Sequence, residues 1–280
     1  MSALRRPATV VITGCSGGIG RALAREFHAR GCTVYATARR PETLSDLAAQ
    51  GLRTAALDVC DDTSIRAFAQ QLRADGAGID VLVNNAGYGQ MGPLFDLDSA
   101  ALRAQFETNV IGPIALTRAL LPLMLPQRAG RIVNVGSVSG ILVTPFAGAY
   151  CASKAAVHAL SDALRMELAP FGIEVLVVQP GAIQSDFGAA ASQRVARAPD
   201  SLYAAAGDGI AARANASQQH ATPTAEFARR MVDAVLADRV APVIRLGNGS
   251  TLLPWLARWL PTRLRDRLLS RRFRLDRLRP

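Results

Sequence analysis

Lysine is nearly absent from this sequence of 280 residues. Of its 32 basic residues a single one, Lys154, is a lysine, and the other 31 are arginines. In such a composition, a lysine with only a solvated surface role would be expected to be an arginine. The near absence therefore indicates that position 154 needs a property that arginine does not have.

Cysteine and histidine are also scarce, with four and three residues respectively. The cysteines at positions 15, 32, 60 and 151 form no C-x-x-C pair and do not cluster with the histidines. Zinc sites and disulfide frameworks show characteristic cysteine and histidine spacings, so we expect neither a metal ion nor a disulfide framework.

Long apolar segments are missing as well. No window of 18 or more residues lacks both charges and helix breakers, and the N-terminal residues have no apolar stretch of the kind that a secretory signal requires. The composition, with 50% hydrophobic and 19% charged residues, favours a packed globular protein. These features together predict a cytoplasmic protein.

Positive charge is concentrated at the C-terminus. The formal net charge is +10, and residues 261–280 contribute +6 of it through eight arginines and two aspartates. The rest of the chain is only mildly basic, so we expect no nucleic-acid partner. Within residues 251–280, leucines and aromatic residues recur at helical spacing among the arginines. Two interpretations stay open: the segment packs on the rest of the protein, or it makes peripheral contact with an anionic membrane.

Short strand-like runs alternate with longer helix-period segments along the chain. The alternation predicts an α/β fold, namely a doubly wound Rossmann-type parallel sheet with helices on both faces. We expect residues 1–250 to form one domain and 251–280 to form an amphipathic, arginine-rich extension. The Ala-rich and polar segment 186–222 is expected to be an insertion that covers the substrate. The predicted strands are 8–13, 33–38, 53–58, 80–84, 131–135, 174–179 and 241–246.

Glycines follow the first predicted strand in TGCSGGIG, residues 13–20. Gly14, Gly18 and Gly20 lie where a strand leads into a helix, so the backbone can approach a pyrophosphate and the helix N-terminus attracts its charge. The same letters fit G-x-S-x-G, the nucleophile elbow of serine hydrolases, with Ser16 as the nucleophile. That alternative requires an acidic residue and a histidine to converge on Ser16.

A tyrosine precedes the single lysine by four residues in YCASK, residues 150–154. On a helix Tyr150 and Lys154 share a face, and an ammonium group beside a phenol favours the phenolate. Such a tyrosine can act as an acid or base near neutral pH. Lysine suits this position because it is a compact point charge, whereas the guanidinium of arginine is bulkier and permanently protonated. Ser137, with Ser139 as its rival, follows a predicted strand and could polarise a carbonyl.

These motifs, in this order, resemble the classical short-chain dehydrogenase/reductase family. The likeness covers roughly residues 7–190, through TGCSGGIG, NNAG at 84–87, VNVGSVSG at 133–140, YCASK and PGAIQS at 180–185. It implies a catalytic tetrad of Asn109, Ser137, Tyr150 and Lys154, in which Asn109 binds a water that relays protons towards the lysine. Taken alone, an asparagine in a segment such as ETNVIG more often has a structural hydrogen-bonding role. The cofactor contacts implied by the resemblance are Gly14, Ser16, Gly18, Ile19, Gly20, Arg39, Arg40, Asp58, Val59, Asn85, Ala86, Gly87, Tyr150, Lys154, Pro180, Gly181, Ile183 and Ser185.

The end of the second predicted strand indicates which cofactor is bound. NAD enzymes usually carry an acidic residue there for the ribose 2'-hydroxyl, and NADP enzymes an arginine for the 2'-phosphate. In VYATARR the place of the acid is taken by Ala38, and Arg39 and Arg40 follow. The sequence therefore predicts NADP(H) as the cofactor.

The predicted substrate is a hydrophobic ketone or secondary alcohol. Apolar residues follow both NNAG and Ser137, although such loops also occur as core or dimer contacts. The C-terminal segment is similar to the end of fungal NADPH-dependent 1-acyldihydroxyacetone-phosphate reductases, in a branch that borders hydroxysteroid and retinol dehydrogenases. The resemblance implies a reductase of a lipid-like ketone, with acyl-dihydroxyacetone phosphate as one candidate, and a homodimer or homotetramer is expected. A protein that senses NADP(H) without turnover is a further alternative.

Overall fold

A seven-stranded parallel β-sheet lies at the centre of the protein in the computed structural model, which describes residues 4, 7–196, 198 and 200–278. Each strand overlaps a range predicted from the sequence, and the predicted α/β class is confirmed. The strands are β1 Thr9–Ile12, β2 Thr33–Ala38, β3 Arg53–Ala56, β4 Val81–Asn84, β5 Gly130–Val135, β6 Ile173–Pro180 and β7 Val243–Leu246.

The strand order is β3-β2-β1-β4-β5-β6-β7, and every neighbouring pair is parallel. The chain builds outward from β1 to β3 on one side and from β4 to β7 on the other, so the direction reverses between β1 and β4. At such a reversal the loops that follow the two strands diverge and leave a crevice at the carboxyl edge. Both the glycine turn and the NNAG turn begin at this crevice.

Helices connect the strands and cover both faces of the sheet. Two of the helices follow β7, within the segment predicted as an amphipathic extension. The α-helices of the described residues are α1 Gly18–Ala29, α2 Ser45–Ala49, α3 Asp62–Ala74, α4 Ser99–Phe106, α5 Gly112–Leu120, α6 Gly148–Leu168, α7 Phe187–Gln193, α8 Gly207–Ala214, α9 Thr224–Leu236, α10 Leu252–Trp259 and α11 Thr262–Arg272.

Successive side chains of the central strands enter two cores on opposite faces of the sheet. In β1, Val10 and Ile12 belong to one core and Val11 belongs to the other. The first core includes α1 and α9, for example through Phe27 and Phe227. The second core is formed with α3, α5 and the end of α6 by Phe68, Leu116 and Leu168. Because both faces are covered, the strands are apolar on both sides, which explains their continuous Val and Ile runs.

A buried arginine joins β5, β6 and α9. The side chain of Arg131 in β5 is only 3% exposed, and its Nε donates to Glu174 Oε2 of β6 at 2.8 Å. Its Nη1 donates to the main-chain oxygens of Val235 and Ala237 at the end of α9. These bonds compensate the buried charge and fix the two strands whose carboxyl ends reach the candidate site.

We expect Arg131→Met to lower the free energy of unfolding by about 2–3 kcal/mol, because the variant leaves one carboxylate and two carbonyls without their donor. Urea denaturation followed by circular dichroism measures the loss. The matched control is Arg230→Met, which breaks the solvent-exposed pair with Glu226 on α9 and should cost less than about 1 kcal/mol. Equal losses in the two variants would contradict the role assigned to Arg131.

Candidate active site

A cavity of about 930 Å³ opens at the carboxyl edge of the sheet. Of the residues implied by the family resemblance, Arg40 and Asn109 do not line it. The implied residues that do line it are Gly14, Ser16, Gly18, Ile19, Gly20, Arg39, Asp58, Val59, Asn85, Ala86, Gly87, Ser137, Tyr150, Lys154, Pro180, Gly181, Ile183 and Ser185. Residues that are far apart in the sequence thus share one space.

The turn between β1 and α1 presents main chain to the cavity. Gly14 has a φ of +73°, in the left-handed region that favours glycine. A Cβ atom on Gly20 would lie 2.3 Å from the Gly14 oxygen, so the turn closes tightly only without a side chain there. A turn of this shape at a helix N-terminus is suited to bind a pyrophosphate.

The turn after β4 is tied to the glycine turn by polar side chains. Thr13 Oγ1 accepts hydrogen bonds from the main-chain nitrogens of Asn85 at 3.0 Å and Ala86 at 2.9 Å. Asn85 Nδ2 donates to the Thr13 oxygen at 2.8 Å. One strand further, Asn84 Nδ2 donates to Asn134 Oδ1 of β5 at 2.8 Å. The carboxyl ends of β1, β4 and β5 are therefore held in a fixed relation.

The two arginines that follow β2 differ in position. Both are exposed, but Arg39 lines the cavity and Arg40 does not. At the end of β3, Asp58 and Val59 line the same part of the cavity. The Asp58 carboxylate accepts from the main-chain nitrogen of Cys60 at 2.9 Å, which holds it in its own loop. Of the two arginines, Arg39 is the one available to a ligand in the cavity.

Ser137 and Tyr150 meet at another part of the cavity wall. Ser137 follows β5, and Tyr150 lies in the first turn of α6. Ser137 lies near enough to the Tyr150 hydroxyl to lower its pKa by hydrogen bonding. The rival residue Ser139 donates from its main-chain nitrogen to Ser137 Oγ at 3.1 Å, so it helps to orient the Ser137 hydroxyl.

The electrostatics at Tyr150 differ from the expectation. Burial raises the Tyr150 pKa above its ordinary value, and the hydrogen bond with Ser137 and the positive charge of Arg213 oppose this rise. The sequence assigns the lowering of the Tyr150 pKa to Lys154. In the structure the opposing influence comes instead from Ser137 and from Arg213, an arginine that the sequence analysis did not single out.

Lys154 is buried on the same face of α6, one turn after Tyr150. Its side chain is 6% exposed, and its Nζ lies 5.9 Å from the centroid of the Tyr150 ring. The Nζ donates to the Val135 oxygen at 2.7 Å, and burial lowers the Lys154 pKa to about 8. A guanidinium at this position would bring five N–H donors into a narrow buried space, whereas an ammonium needs fewer partners. This difference accounts for the single lysine.

Asn109 has its hydrogen bonds satisfied within the protein. It lies in a π-helical turn, Glu107–Ile111, that joins α4 to α5. Its Oδ1 accepts from the Tyr88 nitrogen at 3.1 Å, and its Nδ2 donates to the Tyr88 oxygen and to Ser153 Oγ, both at 3.0 Å. These contacts hold the chain after Gly87 beside α6, which matches the structural interpretation of Asn109. Its role in a water relay stays a prediction.

The serine hydrolase interpretation finds no catalytic pair at the glycine turn. Among the described hydrogen bonds, none joins Ser16 to a histidine. His158 is half-buried, desolvation lowers its pKa to about 4, and its Nε2 accepts from the Ser137 nitrogen at 3.4 Å. The neighbouring Cys15 is no nucleophile either, because burial raises its pKa to about 12.

The insertion at 186–222 contributes residues that the sequence analysis missed. It contains α7 and α8, and the ring of Phe187 in α7 lies 5.3 Å from the Tyr150 ring, centroid to centroid. Arg194 and Arg213 also line the cavity. Nothing in the sequence distinguishes Arg213 from the other arginines, because its importance depends on what α8 packs against.

The C-terminal helices form a further part of the wall. Phe273, directly after α11, is buried against Phe146, Ala206 and Ile210. The tail residues that line the cavity are Leu252, Leu253, Leu269, Arg272 and Phe273. Packing on the protein, one of the two interpretations of the tail, is therefore observed for its inner face. The division into residues 1–250 and 251–280 stays a prediction.

Comparison with known protein families is consistent with this geometry. The family model described as short chain dehydrogenase matches residues 8–196. A short-chain dehydrogenase, ptmH, from Penicillium ochrochloron is 40% identical over 262 residues, which cover 92% of this chain and 95% of that protein. The NADPH-dependent 1-acyldihydroxyacetone phosphate reductase of Schizosaccharomyces pombe is 42% identical over 178 residues, 63% of this chain and 60% of that protein.

Solved structures with the same fold extend over most of the chain. A short-chain dehydrogenase from Streptomyces avermitilis has a TM-score of 0.77 at 34% identity, covering 99% of this chain and 96% of that one. Serine dehydrogenase in complex with NADP+ has a TM-score of 0.75 at 26% identity, with 87% and 96% covered. A short-chain dehydrogenase/reductase from Burkholderia phymatum in complex with NAD has a TM-score of 0.73 at 28% identity, with 87% and 90% covered.

The ordered motifs, the parallel sheet and the shared cavity all agree with these comparisons. Structures of similar chains hold either NADP or NAD, so the family itself leaves the choice between the two cofactors to the residues of each member. The protein is a member of the short-chain dehydrogenase family of oxidoreductases.

Proposed function

We propose that the protein is an NADPH-dependent carbonyl reductase that acts on a hydrophobic, lipid-like ketone. The observation that carries the proposal is the make-up of the cavity. The glycine turn and Arg39 line one part, Ser137 and Tyr150 line the next, and apolar side chains of the C-terminal tail line a third. A nucleotide, a reacting carbonyl and an apolar chain would each find suitable partners there.

The residues present fit NADP(H). The tight turn closed by Gly20 would hold the pyrophosphate. Arg39 has no carboxylate within ion-pair distance among the described residues, so it is available to a 2'-phosphate. Pro180, Gly181, Ile183 and Ser185 would lie along the nicotinamide. When bound, the cofactor supplies the hydride for reduction of the carbonyl carbon.

In the proposed reaction Ser137 and Tyr150 act on the carbonyl oxygen. The Ser137 hydroxyl donates a hydrogen bond that polarises the carbonyl, and Tyr150 Oη transfers its proton to the oxygen as the alcohol forms. The raised Tyr150 pKa keeps the phenol protonated at neutral pH, as a general acid requires. The phenolate left behind is stabilised by its hydrogen bond with Ser137 and by the charge of Arg213. Below its pKa of about 8 the Lys154 ammonium, 5.9 Å from the centroid of the Tyr150 ring, adds a second positive charge.

The pKa of Lys154 gives a pH-dependent prediction. Because burial lowers this pKa to about 8, the ammonium loses its charge as the pH rises through that value, and we expect kcat/KM to fall there. Tyr150, with its raised pKa, stays protonated over the same range. In Lys154→Arg the charge persists at high pH, so the falling limb near pH 8 should disappear while activity drops because the guanidinium does not fit.

Stopped-flow and steady-state oxidation of NADPH between pH 6 and 10 measure these profiles. The control is Tyr150→Phe, which should lower kcat by about 10²-fold or more at every pH, with NADPH still bound. A falling limb that survives unchanged in Lys154→Arg would assign it to another group. Near-normal turnover of Tyr150→Phe would favour the non-catalytic sensor.

Cofactor choice gives a second prediction, with a matched pair of neighbouring arginines. Arg39→Gln should reduce the NADPH over NADH preference in kcat/KM by roughly 10- to 100-fold, the size of a lost hydrogen bond to a charged group. Arg40→Gln removes the same charge one residue further, outside the cavity, and should leave the preference nearly unchanged. The reverse pattern would assign the 2'-phosphate contact to Arg40.

The outer face of the tail supports a location at a membrane surface. Trp255 and Trp259 of α10 are 57% and 64% exposed, and Leu264 and Leu268 of α11 are also exposed. Arginines surround them, so the face combines large apolar side chains with positive charge, as interfacial helices do. Among the described helices, none is both long and apolar enough to cross a lipid bilayer. We propose peripheral contact with an anionic membrane on the cytoplasmic side.

The same helix links this face to the cavity. Leu252 in α10 is 56% exposed and also lines the cavity, one turn before Trp255. An apolar substrate dissolved in the membrane could therefore reach Tyr150 along apolar side chains. Acyl-dihydroxyacetone phosphate, the substrate named for the fission-yeast relative, is one ketone of this kind.

We expect the protein to sediment with phosphatidylserine vesicles but not with phosphatidylcholine vesicles, and added salt should weaken this binding. Trp255→Ser combined with Trp259→Ser should reduce the partition coefficient about tenfold or more, because both indoles leave the interface. The control is Phe171→Ser, which removes a similarly exposed aromatic residue before β6, at the opposite edge of the sheet. If the wild-type protein ignores anionic vesicles at low salt, the face is not a membrane site. Sedimentation velocity would then test it as a contact of the expected homodimer or homotetramer.

A further inference from the structure

Arg213 is a buried cation without an acidic partner. It lies in α8 and is 6% exposed, yet no carboxylate among the described residues is within ion-pair distance of its guanidinium. Among the described residues the other deeply buried arginine is Arg131, and it is paired with Glu174. Because an unpaired buried charge is costly, a position like that of Arg213 is unfavourable unless a negative charge is present at some stage.

The hydrogen bonds of Arg213 leave part of its guanidinium free for a ligand. Its Nε donates to Thr144 Oγ1, and its Nη2 donates to Ser139 Oγ at 3.4 Å. Both partners are neutral hydroxyls, and a guanidinium has five N–H donors. No hydrogen bond from Nη1 to another described residue is formed, and Arg213 lines the cavity.

Arg213 lies close to the atoms that would act on the carbonyl. Ser139, which accepts from Arg213, donates from its main-chain nitrogen to Ser137 Oγ. The positive charge of Arg213 also acts on Tyr150. If the substrate carbonyl lies between Ser137 and Tyr150, a substrate group a few bonds from that carbonyl would therefore lie beside the Arg213 guanidinium.

The acids of the cavity wall lie near the proposed cofactor. Asp58 follows β3, and Asp186 Oδ2 would lie 3.0 Å from a Cβ atom on Gly17. The wall also includes Arg194, Arg213 and Arg272. Among the described residues, none of these three arginines forms an ion pair with an acid.

We propose that Arg213, together with the hydroxyls of Thr144 and Ser139, binds an anionic group of the ketone substrate, either a phosphate or a carboxylate. The inference rests on the proposed reductase function, because it takes the carbonyl to lie at Ser137 and Tyr150. It makes Arg213 a specificity-determining residue, and it adds a negative charge to the apolar character expected of the substrate. A planar guanidinium can bind either anion through two parallel N–H donors.

The kinetic test compares ketones that differ only in charge. One pair is acyl-dihydroxyacetone phosphate and acyl-dihydroxyacetone, and the other is a long-chain 4-oxo acid and its methyl ester. Wild-type protein should prefer the anionic member of at least one pair, which also separates phosphate from carboxylate recognition. Arg213→Met should lower kcat/KM for that anion by roughly 10- to 100-fold, while the neutral partner changes by less than about threefold.

Two further variants separate recognition from other effects of Arg213. Arg213→Lys keeps the charge and should restore part of the preference for the anion. Arg230→Met removes one positive charge from the exposed surface of α9 and should leave the preference unchanged. If Arg213 acted only through the pKa of Tyr150 or by orienting Ser139, Arg213→Met would impair the anionic and the neutral ketone equally. It would also shift the pH profile of both, and that result would overturn the proposal.

A binding measurement keeps the inference separate from the proposed reaction. Isothermal titration calorimetry measures the binding of octyl phosphate, octanoate and octanol to the wild-type protein and to Arg213→Met. Both proteins are first saturated with NADP(H), or are used without cofactor if neither binds it. Tighter binding of an anion than of octanol, lost in Arg213→Met, supports the subsite even if no ketone is reduced. In that case only the proposed reductase function is contradicted. Reduction of ketones without any charge preference, with equal binding by the two proteins, overturns the subsite and leaves the reductase function intact.

Discussion

The parallel pairing of β1, β4, β5 and β6 is the constraint on which the candidate site depends. Parallel strands end at the same edge, so the turns that follow them meet in space although up to about 170 residues separate them in the sequence. The Thr13 and Asn85 side chains then lock the first two turns together. Without this register the turn that carries Ser137 would not meet the other turns at the cavity.

The electrostatic design of the site follows from burial. Burial shifts two of its groups in opposite directions: it raises the pKa of Tyr150 and lowers the pKa of Lys154. Desolvation keeps the Tyr150 phenol protonated and lowers the pKa of the Lys154 ammonium towards neutral pH. The acceptors of the two cations are neutral: Lys154 donates to the main-chain oxygen of Val135, and Arg213 donates to hydroxyls. Because these acceptors do not cancel the positive charges, the charges can act on a bound anion or a developing phenolate.

The tail combines two tasks that its sequence pattern does not separate. Its inner residues, such as Leu269 and Phe273, complete the cavity, while Trp255 and Trp259 stay exposed. A helical segment with apolar side chains on two sides is unfavourable in water unless both sides are covered. The inner side packs against Phe146 and Ile210. The exposed side, with Trp255 and Trp259, is the one for which we propose contact with a membrane.

The sequence alone determined the sheet, the glycine turn and the shared helix face of Tyr150 and Lys154, because each depends on local spacing: period-two and period-3.6 patterns, a glycine where a side chain would clash, and a four-residue interval on a helix. The choice of Ser137 over Ser139 came from the family resemblance. It did not show that Arg39 rather than Arg40 lines the cavity, that Asn109 is hydrogen-bonded to Tyr88 and Ser153, or that the charge of Arg213 acts on Tyr150. Those outcomes were decided by tertiary packing, since the direction of a loop and the neighbours of α8 depend on contacts between segments distant in the chain. Burial, and with it the shifted pKa values of Tyr150 and Lys154, arises only after those segments have come together.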